Sequence, residues 1–205
     1  MGTLVMYDDT NPALIPASAA IIGYYKDGDF ADGAAVAKRF PHAQLVGICV
    51  RGADDGDALD VENKDATIAD VYSWLTRQIA KKVYRPLIYT SVGNVDSLMV
   101  TMTANKFERS AYRLWSAHYG AGQHICGPAS CMATKTECDW TQWTDTYGGL
   151  SLDASLLSDE PFGPAAAAPA TAKPAVNVRA QAQALLEDIT GAAAKLAVLI
   201  PDMPE

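Results

Sequence analysis

The chain has 205 residues, is 49% apolar and carries a formal net charge of −8. That is long enough for one domain with a real core and too apolar for a disordered chain. No run of Lys and Arg exists, which argues against a nucleic-acid partner or an anionic membrane surface.

The opening "MGTLVMYDD" reads as a strand, with no charged segment leading into a long apolar one, so no secretory signal is expected. Further strands are predicted at "AIIGYY", "AQLVGICV", "DALDVE", "PLIYTS", "YRLWSAHY" and "DWTQWTD". Several are continuously apolar, as parallel strands covered on both faces are. Helices are predicted from Phe30 to Phe40, after a Thr67 N-cap with Ile68, Val71, Tyr72, Leu75 and Ile79 at helical spacing, and from Val95 to Ala104. Strand and helix in alternation mean an α/β fold. Many strands with few helices suggest a short, incomplete (β/α) TIM-like barrel over residues 1–158.

The Ala/Pro-rich stretch 159–176 is predicted to be a linker, and 177–200 an amphipathic C-terminal helix. Such a helix buries its stripe against its own domain or on another chain, as a homo-oligomer or in a larger particle. The longest apolar run, "AAAKLAVLI", is too short to span a bilayer.

Cys49 sits in an apolar strand and reads as a buried free thiol. Cys126, Cys131 and Cys138 cluster in one loop. The first reading is one disulfide and one free thiol. A zinc site that adds His124, and inert reduced thiols, are the alternatives.

Parallel barrels carry their chemistry where strands end. Here the ends hold Asp8 and Asp9; Asp60 and Glu62; Tyr89; His118 and Tyr119; Gln142 and Trp143; and Asp153 follows the last strand. Carboxylates for acid/base work, aromatic faces for sugar rings and amides for hydroxyls are what a carbohydrate site needs. Asp60 and Glu62 are two apart, share a face about 6.6 Å apart if extended, and turn Val61 away. Two such carboxylates cannot both ionise easily in a partly dry cleft, and a raised Glu suits a general acid. The bland reading is a solvated loop edge, because "GADDGDALDVE" is acid-rich throughout. Trp115 and Trp140 read as either core or sugar platforms, Trp74 as core and His42 as surface. No glycine-rich phosphate loop or Gly-x-Ser-x-Gly elbow occurs.

The motifs "LDVE" (59–62), "RPLIYTS" (85–91), "LWSAHY" (114–119) and "TQWTD…LSLDAS" (141–155), in this order, resemble glycoside hydrolase family 25, the lysozyme-like muramidases, and related glycoside-hydrolase-like domains of actinobacterial and phage proteins. The resemblance covers about residues 4–157. It implies a flattened barrel acting on the glycan of bacterial peptidoglycan, with Glu62 as proton donor and Asp60 orienting substrate or supporting Glu62. Asp8 and Asp153 would complete an acidic cluster. Tyr89, Trp115, Tyr119, Gln142 and Trp143 would line the sugar cleft, and no metal or organic cofactor is implied. His118, at a strand end, reads either as a second acid/base or as a hydrogen-bonding member of such a site. The chain departs from the pattern after the first strand ("YDDTNPALIP") and in "LDAS", which lacks the usual Asn. The alternative is therefore an inactive glycan-binding or structural virion protein held through residues 177–200. In either case the chain is expected in a virion or released at host lysis.

Overall fold

The computed structural model describes residues 4–163. Among them, eight strands close a barrel in chain order: β1 (Leu4–Asp8), β2 (Ile21–Tyr25), β3 (Gln44–Cys49), β4 (Ala58–Asp60), β5 (Leu87–Ser91), β6 (Arg113–Ala117), β7 (Trp140–Thr144) and β8 (Asp153–Leu157). Three α-helices are described: α1 (Gly33–Arg39), α2 (Ile68–Ala80) and α3 (Val95–Ala104). The β1–β2, β3–β4 and β6–β7 connections carry none of them.

The expectation of an incomplete barrel is corrected by β8. Strands β1 to β7 pair in parallel, and β8 pairs antiparallel with both β7 and β1. An antiparallel partner needs only a short connection, whereas a parallel one needs a long crossover. The segment "DASLL" carries Asp and Ser at inward positions, so it lacks the continuous apolar signature of a strand such as β3. Its residues therefore resemble a site-lining tail more than a strand. The linker and helix expected beyond Gly163 lie outside the described residues, whereas Asp159 to Pro161 lie against the barrel.

Alternation along each strand builds two cores. Met6, Ile48, Ala58, Leu87, Trp115, Trp140 and Leu157 fill the barrel interior. The intervening Leu59, Ile88 and Leu114 face outward and pack with Val71, Trp74, Leu75 and Leu98 of α2 and α3. A third cluster sets Ile22 against Val36 and Phe40 at α1. The start of α2 is fixed by Thr67, whose N–H and Oγ1 both donate to Asp70 Oδ2, at 2.8 and 2.7 Å.

The end of the barrel at which the parallel strands begin is tied by charge. Arg113 is fully buried, and its Nε donates to both Asp159 oxygens at 3.0 Å. Its other nitrogens reach the carbonyls of Glu160, Pro161, Tyr84 and Arg85. Arg85 joins Asp159 to Asp139, and Arg109 also donates to Asp139. Trp140 is fully buried and gives its Nε1–H to Asp159 at 3.0 Å, which settles it as core.

Candidate active site

The other end of the barrel is built from the last inward residue of each strand. Alternation that points Met6 into the interior also points Asp8 there, and Ala58 and Leu87 do the same for Asp60 and Tyr89. Register then sets neighbours. Asp8 stands opposite Asp153 on the antiparallel β1–β8 pair, and Asp60 stands beside Tyr89 on the parallel β4–β5 pair. Because β8 runs antiparallel, its first residue, Asp153, reaches the end at which the parallel strands finish. Asp153 therefore opens β8 rather than following the last strand.

These groups line one pocket of about 150 Å³, shared by Asp8, Asp60, Glu62, Asp153, Tyr89, Trp115, Tyr119 and Gln142, with Tyr25 and Ile48. A wider groove of about 500 Å³ continues from Tyr25, Asp60 and Glu62 over Asp27, Phe30, Arg51, Lys64 and Asp65. Val61 is buried in the outer core, so Asp60 and Glu62 do face the same space with Val61 turned away.

The electrostatics follow from burial. Asp8 is 3% exposed and Asp60 8%, and Asp8 Oδ2 and Asp60 Oδ1 are buried with no hydrogen-bond partner among the described residues. Asp8 is pushed well above the ordinary carboxylate range by desolvation, then by the charges of Asp153 and Asp60. Desolvation, helped by Glu62 and Asp65, raises Asp60 to about 8. Asp153 rises to about 6, again mainly through burial, although the Gln142 side chain works against it. Glu62 lies on the exposed rim and is raised by partial desolvation and by Asp65. None of the residues lining the inner pocket is Lys or Arg.

The rest of "GADDGDALDVE" does not share this site. Asp55 pairs with Arg77 at 2.8 Å and with Lys81 on α2, and Asp57 accepts the Gly47 N–H at 2.8 Å. Asp9 caps its own turn by accepting Asn11 N–H, which leaves Asp8 as the strand-end acid.

The expected sugar-contacting residues divide. Tyr89 donates to Gln142 Oε1 at 2.5 Å, and both line the pocket with the half-exposed Tyr119. Trp115 is 2% exposed, packs edge-on against Tyr89 with centroids 4.6 Å apart, and gives Nε1–H to Ser155. It is a floor beneath the pocket, not an open platform. Trp143 lies apart, beside Tyr147 in a shallow groove with Gly120 and Gly122. His118 lines neither cavity; it turns to His124 and Cys126. Trp74 is buried and His42 exposed.

Two contributors escaped the sequence reading. Tyr25 ends β2 and lines both the pocket and the groove; the strand-end rule applied to "AIIGYY" points to it directly. Gly23 makes room for the acid: a Cβ there would lie 2.9 Å from Asp8 Cβ and 3.0 Å from Ile48 Cδ1. A glycine within a strand that marks such a close approach is the available signal.

The four cysteines are all free, which corrects the expected disulfide. Neither a protein family nor a curated protein matches the chain. Two solved structures are similar to it. The Clostridium perfringens spore cortex lytic enzyme SleM has 16% identity and a TM-score of 0.49, over 76% of this chain and 67% of that one. An uncharacterized B. stearothermophilus protein has 10% identity and a TM-score of 0.48, over 75% of this chain and 95% of that one.

Proposed function

We propose that this chain is a glycoside-hydrolase-like protein acting on bacterial cell-wall glycan, with Glu62 as the general acid. The observation that carries this reading is the gathering of Asp8, Asp60, Glu62 and Asp153 in one pocket that holds no cation. Raised carboxyls are what proton donation to a glycosidic oxygen requires near neutral pH. Glu62 sits at the rim shared by the pocket and the groove, where an extended glycan would cross. Asp60 beneath it stays protonated to about pH 8 and supplies an O–H to substrate or to Glu62. Asp153, the acid that loses its proton first of this buried set, supplies negative charge for an oxocarbenium-like state. Tyr25 and Tyr119 give apolar faces with hydroxyl tips at the pocket mouth.

The test is release of reducing sugar from actinobacterial cell walls by the full chain and by Glu62→Gln. Release by the parent and a loss of about 10²–10⁴-fold in the variant, with unchanged fold, support the reading. Equal release by both removes Glu62 from the role.

A second reading is glycan capture without cleavage, by a virion or other particle protein held through its C-terminal segment. What favours it is the pair of buried carboxyls, Asp8 and Asp60, which are both held protonated and so act as neutral donors to hydroxyls. Walls that bind both proteins and release nothing from either select it.

A further inference from the structure

Outside the acid pocket, the loop between β6 and β7 gathers four soft or borderline ligands that the glycan reading does not use. His118 Nδ1 lies 3.0 Å from His124 Nε2, and Cys126 Sγ lies 3.3 Å from each. With Cys131, one ligand atom from each of the four residues falls within 4.8 Å of the others. We propose that His118, His124, Cys126 and Cys131 form a structural zinc site that pins this loop to the end of β6.

The contacts are poorly explained as hydrogen bonds. His124 Nδ1 is 2.7 Å from the Gly122 carbonyl, which only accepts, so Nδ1 carries the proton and Nε2 presents a lone pair. That single lone pair faces both His118 Nδ1 and Cys126 Sγ, and serves one donor well. A central cation takes lone pairs from all of them at once. The Gly122 carbonyl is then the outer partner that fixes the imidazole tautomer, as metal-bound histidines commonly have.

The spacings also fit. A tetrahedral ion with Zn–N of about 2.05 Å and Zn–S of about 2.3 Å places its ligands roughly 3.3–3.8 Å apart. The observed separations of 3.0 and 3.3 Å among His118, His124 and Cys126 need a small expansion, and Cys131, within 4.8 Å of the others, needs at most a shift of about 1 Å inward. Four protein ligands leave no open position, so the site is structural rather than catalytic.

The fold gives the site a purpose. The segment from His118 to Asp139 has no helix or strand of its own. Loops of that length in compact domains are uncommon without an internal support. A disulfide would provide one, but all the cysteines are free. Cys138 is buried and outside the ligand set, so the set is His2Cys2 and not the His124-plus-three-cysteine arrangement.

The test uses the full chain, freed of any affinity tag, purified under reduction, stripped with chelator and titrated with Co²⁺. The expected result is one equivalent bound, with the visible bands of tetrahedral cobalt and a near-ultraviolet thiolate-to-cobalt band. Cys131→Ser, at a half-exposed position, should about halve the thiolate band, whereas Cys138→Ser should leave it intact. Zn²⁺ added to the cobalt-loaded parent should bleach the cobalt signal, and Zn²⁺ added to the stripped parent should raise its Tm. Absence of tetrahedral bands in the folded parent overturns the proposal. So does a thiolate band that survives Cys131→Ser unchanged.

Discussion

Asp60→Asn should make the protein more stable at neutral pH and leave it nearly unchanged in acid. Asp60 is 8% exposed and its carboxyl is held to about 8, against roughly 4 in an unfolded chain. A raised carboxyl favours the fold while protonated. Its contribution is fully present below pH 4 and is lost as pH rises through 8. At pH 7 the unfolded chain has released this proton and the folded one has mostly kept it. About three units at roughly 1.4 kcal/mol each amount to about 4 kcal/mol of lost stability, an upper figure because the site relaxes around a charge. Asparagine cannot ionise and nearly matches the shape. Urea unfolding followed by tryptophan fluorescence, on both proteins near pH 4 and pH 7, gives the difference of differences, in which groups outside the cluster cancel. An advantage for the variant of about 2–4 kcal/mol that appears only at the higher pH is expected. A difference that is equal at both values, or larger in acid, refutes the argument that Asp60 is a desolvated, unpaired acid.

Three other outcomes follow from the same geometry. Asp159→Ala should destabilise the protein by about 3–5 kcal/mol in urea unfolding, because it strands the buried Arg113 charge at the opposite end of the barrel. Gly23→Ala should cost about 1–3 kcal/mol by overpacking and should displace Asp8, so that wall binding or cleavage falls while the circular-dichroism spectrum persists. In the Glu62→Gln background, glycan binding measured by wall pull-down should weaken as pH rises and Asp60 ionises, at a pH below the value of about 8 that Asp60 has beside a charged Glu62, and adding Asp60→Asn should flatten that profile.

How much of this was legible in the sequence depended on which physical signal each part leaves. Apolar runs mark several of the parallel strands, which bury both faces, and α2 carries clear helical spacing. Strand β8 leaves no such signal: its inward Asp153 and Ser155 serve the site and Trp115, not the core. Asp8, Asp60 and Glu62 were legible because a strand end is a fixed place in such a barrel. Trp143 and His118 occupy equally good strand-end positions, yet their side chains leave the pocket. The loop after β6 draws His118 toward Cys126, and no periodicity in the sequence encodes a loop's path. Gly23 was silent for a related reason. Its role is the space it leaves for Asp8 on the neighbouring strand, and that neighbour is known only once register is.

The two ends of the barrel supply an internal comparison that bears on whether the acids are incidental. At one end, Asp139 and Asp159 are also largely buried, and the chain surrounds them with Arg85, Arg109 and Arg113. That is how this fold treats a carboxylate whose work is structural. Asp55 and Asp57, from the same acid-rich run as Asp60, are likewise paired or hydrogen-bonded. At the other end, Asp8 and Asp60 are buried deeper, Asp8 faces the charges of Asp153 and Asp60, Asp60 faces those of Glu62 and Asp65, and among the described residues no Lys or Arg lines their pocket. A solvated loop edge would not desolvate them, and a structural role would not leave them unpaired. Unpaired buried acids destabilise a fold at neutral pH, and strongly perturbed groups of this kind concentrate at functional sites. We therefore propose that the carboxylates of "LDVE" work with Asp8 and Asp153 as one site, and the stability that Asp60→Asn recovers measures the cost of leaving Asp60 unpaired.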